Sequence, residues 1–251
     1  MLMHGEKGGI VIPDPSRLLE RLGIKMPLIG FYDTPHLSGF KPVVAPEPGK
    51  HLCVFAFFGN WLKGETLQIT KDNYGCGGAG TALCSLTTRS RQDYITFLVD
   101  TEGLKASHEI MGRWLDARRT YQQQHANILI GPLREGKEEF LRSVTFFVNP
   151  DQLSALIIGA HYRNAPGDPT AVLAPFGSGC MELITPFDDL TKPQAIIGAT
   201  DIAMRQYLPP DILAFTVTVP LYEQLCGLDE KSFLYKPFLK NLQEERSKHG
   251  A

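Results

Sequence analysis

The chain has 251 residues, 43% of them hydrophobic and 10% aromatic, which is enough to bury a sizeable core and excludes a disordered polymer. Lysine and arginine total 25 against 27 aspartates and glutamates, so the net charge of -2 supplies no field that would gather nucleic acid. The longest apolar run, residues 52–58, is far too short to span a bilayer, and residues 1–9 lack the apolar stretch of a secretory signal.

The expectation is therefore a soluble, cytoplasmic protein with neither nucleic-acid nor membrane partners. Its five cysteines, Cys53, Cys76, Cys84, Cys180 and Cys226, are an odd number without close pairing, which points to reduced thiols rather than a disulfide framework.

In chain order, Arg17-Leu18-Leu19-Glu20-Arg21-Leu22-Gly23 predicts a short helix with Ser16 as its cap and Gly23 as its stop. Residues 27–32 read as a strand ending at Asp33-Thr34-Pro35, and the proline-rich residues 40–50 as a loop. Residues 51–63 are apolar and helical in pattern, 94–100 and 126–131 suit strands, and 105–124 between them suit an amphipathic helix. A helix over 136–141, a strand over 143–148 and a helix over 152–163 capped by Asn149-Pro150-Asp151 open the second half. Residues 194–198 and 212–219 read as strands, 203–207 as a helical turn and 229–248 as a charged helical tail.

Four marks recur in the same order in the two halves. Phe31-Tyr32-Asp33-Thr34-Pro35 matches Phe146-Phe147-Val148-Asn149-Pro150, and Gly75-Cys76 matches Gly179-Cys180. Arg119-Thr120-Tyr121 matches Arg205-Gln206-Tyr207, and Pro132-Leu133-Arg134-Glu135 matches Pro220-Leu221-Tyr222-Glu223. The expected fold class is α/β (an α+β mixed sheet), built from two diverged copies of one unit related by pseudo-twofold symmetry. Residues 16–135 form the first copy with a longer insertion, 136–225 the second, and 226–251 a C-terminal helical tail.

The segment Gly75-Cys76-Gly77-Gly78-Ala79-Gly80 is the most unusual in the chain, because its glycines allow a backbone to approach a ligand closely. A cysteine there, at a helix N-terminus, would favour its thiolate and serve as nucleophile or metal ligand. Cys180 follows Gly177-Ser178-Gly179 in a like setting, and the bland alternative for either cysteine is a small buried hydrophobe in a tight turn. Arg119 and Arg205, each two residues before a tyrosine, are candidate anion anchors, with a structural ion pair as the alternative.

Gly75, Gly77 and Gly80 also match G-x-G-x-x-G, with Asp100 twenty residues on, but polar residues 67–74 stand where a buried parallel strand should precede a dinucleotide loop. No C-x-x-C supports a zinc knuckle, Gly112 replaces the second histidine of a zinc protease after His108-Glu109, and neither a G-x-S-x-G elbow nor a P-loop occurs.

At Pro27-Leu28-Ile29-Gly30-Phe31, Cys76-Gly77-Gly78-Ala79, residues 144–148 with Pro150, Ser178-Gly179-Cys180, and 201–207 leading to Val219-Pro220, the chain resembles the uncharacterised prokaryotic family known as domain of unknown function 169. The resemblance spans roughly residues 16–225. It implies that Cys76 and Cys180 belong to a shared site, and it implies no particular activity.

The reading that follows is a protein that binds a small molecule or redox cofactor between its halves. Cys76 and Cys180 would act as thiolate contacts, Gly75, Gly77, Gly78 and Gly179 as close-approach backbone, and Arg119 and Arg205 as anion anchors. The cofactor, any metal and the oligomeric state stay open. A thiol-dependent redox or transfer enzyme without cofactor, and a structural or assembly protein without ligand, are the alternatives.

Overall fold

Two largely apolar strands lie side by side at the middle of one sheet. In a computed structural model, which describes residues 13–40, 43–44, 53–70, 90–117, 121–168, 171–175, 183 and 189–248, β1 (Ile29–Thr34) runs antiparallel to β5 (Leu141–Val148). Ile29 stands opposite Thr145 and Phe31 opposite Ser143. All of β1 and nearly all of β5 are buried, a pattern that requires cover on both faces of the sheet.

Outward from β1 lie β4 (Asn127–Pro132), β3 (Thr66–Ile69) and β2 (Val43–Val44). Outward from β5 lie β8 (Leu213–Thr218), β7 (Ala195–Gly198) and β6 (Val172–Leu173), so the order is β2-β3-β4-β1-β5-β8-β7-β6. Neighbours pair antiparallel except β2 with β3 and β6 with β7, the outermost pair on each side, which are parallel. The fold is thus a mixed α/β fold on a mixed sheet.

Seven α-helices accompany the sheet among the described residues: α1 (Ser16–Leu22), α2 (Phe58–Trp61), α3 (Arg91–Thr96), α4 (His108–Asp116), α5 (Pro150–His161), α6 (Val219–Cys226) and α7 (Pro237–Lys248). One face of the sheet is closed by α1, α5, α6 and the 3-10 turn Phe233–Tyr235, which bury Leu18, Leu156, Leu221, Tyr222 and Leu234 against Tyr32, Val144, Phe146 and Phe215. Each such side chain contributes about 1.5–3 kcal/mol on leaving water. The last helix, α7, buries no residue. It rests on the outside through a two-pronged Arg246–Asp151 pair (2.8 and 3.2 Å) and through Gln243, which donates to the Arg21 carbonyl. No described helix is long and apolar enough to cross a membrane.

Local chemistry accounts for the helix ends. Gly23 stops α1 as expected, at φ 65°, a left-handed conformation that costs glycine nothing. Ser16, expected as the cap, is instead the first helical residue, because its amide and hydroxyl both donate to Asp14. Asn149 caps α5 in a reciprocal box with Gln152 (2.9 and 3.0 Å), followed by Pro150 in the first turn.

Several expectations are corrected. Residues 94–100 are not a strand but the end of α3 and a π-helical turn, Phe97–Thr101. Ser90 caps α3 by accepting the Asp93 amide, and Tyr94, Ile95 and Leu98 then share one face with Met111 in a small separate core. Among the described residues of 105–124 only α4 is helical, and the helix expected over 136–141 is a 3-10 turn, Glu138–Phe140. Residues 66–69, within and beside a stretch judged too polar for a buried strand, form β3, antiparallel to β4. The dinucleotide reading loses its remaining support here, since Asp100 ends no strand and bonds His108 at the surface (3.1 Å).

Because the Asn149–Gln152 box satisfies two orphan amides at once, Asn149→Ala should lower unfolding stability by about 1 kcal/mol. A urea titration would read this as a lower midpoint at unchanged slope, and an unchanged midpoint would contradict the assigned cap.

Candidate functional site

The face of the sheet opposite α1, α5 and α6 is covered differently. The crossover from β2 to β3 lies over it as a 3-10 turn, Val54–Phe57, and α2, burying Val54, Phe55, Phe58 and Trp61. Phe147 of β5 is the floor of this cluster: the Phe58 ring meets it edge-on at 4.9 Å and the Trp61 ring stacks on it at 6.1 Å. On the same face Leu183, between β6 and β7 in the chain, is buried in the cluster and its carbonyl accepts the Ser143 hydroxyl. Between these contacts the hydroxyls of Thr145 and Thr216, both buried, bond each other at 2.8 Å.

Gly75, Cys76, Gly77, Gly78, Arg119, Gly179 and Cys180 lie outside the described residues. The residues that bracket them do not. Ile69, before Gly75, Tyr121, after Arg119, and Leu183, after Cys180, all pack in this cluster, as do Met204, Tyr207 and Leu208 around Arg205. Cys53 packs at its margin, and Trp114 of α4 joins it to the small core of the β3–β4 insertion.

Arg205 is described, and its guanidinium is turned inward on the chain. It donates to the carbonyls of Pro209 (3.1 Å), Pro210 (2.8 Å), Ala199 (3.4 Å) and Ile212. These bonds tie the 199–212 loop into a fixed shape. Ala199, fully buried at its start, adopts φ 61°, a left-handed conformation that costs a non-glycine residue about 1–2 kcal/mol.

Sequence reasoning missed Asp33. Its carboxylate, wholly buried at the end of β1, accepts the Tyr121 hydroxyl (2.6 Å) and the amides of Gln124 (2.7 Å) and His125 (2.8 Å). His125 Nδ1 stands 3.3 Å away without completing a hydrogen bond. Burial first, and the Asp33 carboxylate second, push the Tyr121 phenol well above its ordinary range, so it keeps and donates its proton. Asp33 is therefore a positioning residue that fixes where the insertion re-enters the sheet at β4. The signal was a lone acid in an apolar strand, which calls for donors converging on it.

A second missed feature is Trp61, buried to 1% exposure with its indole N–H unpartnered among the described residues. On the other face, Cys226 beside the Tyr222 hydroxyl is an inert thiol, pushed up to about 12 chiefly by burial. Two open clefts of about 380 and 600 Å³ flank α7, bordered by Glu20, Leu239 and Gln243, and neither touches the aromatic cluster.

A family model described as an uncharacterised ArCR family, domain of unknown function 169, matches residues 19–227. Comparison with curated proteins and with solved structures finds no match.

Asp33→Asn removes the charge on which three donors converge and turns an amide N–H toward them, so stability should fall by about 2–3 kcal/mol. Tyr121→Phe should cost about 1 kcal/mol. Chemical denaturation of both variants checks this, and a loss below about 0.5 kcal/mol for Asp33→Asn, the range of ordinary surface changes, would remove Asp33 from the positioning role.

Proposed function

The chain belongs to the uncharacterised ArCR family, domain of unknown function 169, and from that premise we propose that it holds a small molecule or redox cofactor over the aromatic face of the sheet. In this reading Cys76 and Cys180 contact the ligand as thiolates, in a reducing, cytoplasmic setting. Gly75, Gly77, Gly78 and Gly179 supply close-approach backbone, and Arg119 anchors an anionic group. Arg205 contributes by holding the 199–212 loop, since its donors are given to carbonyls.

One observation carries the reading: Ile69 six positions before Gly75, Tyr121 two after Arg119 and Leu183 three after Cys180 are packed in the same cluster on the same face. That face also holds the buried hydroxyl pair of Thr145 and Thr216 and the Trp61 N–H, which has no partner among the described residues, whereas the helix-covered face is closed mainly by apolar packing. Specific small-molecule sites are mostly apolar surfaces with a few placed polar groups.

The two halves are read here as diverged copies of one unit. The support is topological: each contributes four strands in the same order from the centre, with the same senses of pairing.

Purification without oxygen, followed by an absorbance spectrum and metal and small-molecule analysis, tests the proposal. The intact protein should carry a stoichiometric ligand, and Cys76→Ser and Cys180→Ser should each lose most of it. All three proteins being ligand-free and metal-free, with identical spectra, would overturn the reading.

A further inference from the structure

At the end of β1 a fourth group faces the Asp33 carboxylate, beyond the three that donate to it. The His125 amide donates to Asp33 Oδ1 (2.8 Å), and the Nδ1 atom of the same residue stands 3.3 Å from that oxygen. Asp33 and the Nδ1 atom are both buried, whereas the His125 side chain as a whole is 32% exposed. The exposed part is therefore the far edge of the ring, which carries Nε2.

The imidazole is held in this pose. The Phe140 ring packs against it edge-on at 5.7 Å, and the Gln123 side chain donates to the His125 carbonyl at 2.6 Å. A neutral imidazole carries its proton on one nitrogen and a lone pair on the other. An Nδ1 lone pair 3.3 Å from a carboxylate oxygen is repelled and an Nδ1 proton is attracted, so Asp33 places the proton on Nδ1 and the lone pair on Nε2.

We propose that His125 is the proton-accepting residue of the ligand face, acting through Nε2, with Asp33 as the positioning residue that fixes its tautomer. This rests on the reading that a ligand lies over that face. Asp33 is on the same side of β1 as Phe31, and Tyr121, which donates to Asp33, meets Phe31 edge-on at 5.7 Å within the aromatic cluster. The Arg142 guanidinium lies beside the Tyr121 hydroxyl, so the buried charge of Asp33 has a cation one group away. The substrate class is a small molecule with a weakly acidic O–H, N–H or S–H. As that bond breaks, its electron pair stays on the ligand atom and its proton passes to Nε2. The imidazolium formed faces the Asp33 carboxylate, and the proton returns from Nε2 to the product.

The strand registers set this pair apart from the frame of the sheet. Leu67 pairs with Ile130 and Ile196 with Thr216, while Ile130 pairs with Phe31 and Thr216 with Thr145. Laid on one another through these registers and the parallel edge pairs, the two halves set Ile130 on Thr216 and Phe31 on Thr145. Without a gap, Tyr121 then falls on Tyr207, His125 on Asp211 and Asp33 on Phe147. Tyr207 packs in the cluster as Tyr121 does, with the apolar Phe147 at the place of the acid. The position can thus be packed without a carboxylate, and Asp33 with His125 is peculiar to the first half.

Two-bond proton–nitrogen NMR spectra of the full chain, labelled with nitrogen-15 at histidine, read the tautomer. In its neutral form His125 should be protonated on Nδ1. Asp33→Asn, whose amide donates to Nδ1, should move that proton to Nε2. Tyr121→Phe keeps the carboxylate and should leave the proton on Nδ1, which keeps the test open where Asp33→Asn does not fold. Diethyl pyrocarbonate, which acylates an accessible imidazole lone pair, should modify Nε2 of His125 in the unaltered protein. His125 protonated on Nε2 in the unaltered protein, or left unacylated while the surface His108 reacts, would overturn the proposal. So would a tautomer that Tyr121→Phe changes or that Asp33→Asn leaves as it was. Both readouts are taken without the ligand, so they can fail while the ligand reading holds and hold while it fails.

Discussion

The antiparallel pairing of β1 with β5 is the constraint on which the remainder depends. It joins two four-strand halves that would otherwise each expose a central edge, and unpaired edges recruit other chains. The pairing is tight in a way that dictates sequence. Gly30 has no side chain because a Cβ there would stand 2.6 Å from the Tyr32 ring and 2.8 Å from Leu141. Past Phe31 the register shifts, bringing Tyr32 opposite Leu141, and the Tyr32 hydroxyl then accepts the Arg134 amide at 2.9 Å. Strand pairing, aromatic packing and the start of the 134–140 connection are thus set at one place.

From that central pair the two faces diverge in character. The helical face is mostly apolar, and its cover is set chiefly by leucine and aromatic packing, with Gln152 donating to the Leu22 and Gly23 carbonyls and the Tyr222 hydroxyl to Pro13. The other face carries Asp33, Ser143, Thr145 and Thr216, all buried and hydrogen-bonded, so the elements crossing it are held in one position by directional contacts. Buried polar groups cost stability when left unsatisfied, and here two of them bind residues close in the chain to Cys180 and Arg119: Ser143 donates to Leu183 and Asp33 accepts from Tyr121. That uneven investment is the physical reason for placing the proposed ligand on this face.

Much of the frame was legible in the sequence where a single physical signal dominated. Gly23 and Asn149-Pro150 marked helix ends, and β-branched runs marked β5 and β8. The errors have equally physical causes. Tyr94-Ile95 read as strand because adjacent bulky apolar residues suit both periods, and the distant Met111 decided for helix. β3 read as polar because Gln68 and Thr70 interrupt it, although Leu67 and Ile69 alternate toward the core and Gln68 bonds Asn127 on the neighbouring strand. Asp33 and Arg205 could not be assigned from spacing, since their partners, Tyr121 and four backbone carbonyls, come together only through the fold.

If β1 and β5 hold both halves as one structure, their amides open only when the whole sheet does. Native-state hydrogen exchange across a urea series measures this directly, strand by strand. The account predicts that amides of β4 and β8, one from each half, join those of β1 and β5 in a single opening whose free energy matches global unfolding. A half-specific opening, in which β5 and β8 stay protected while β1 and β4 exchange at lower free energy, would contradict it.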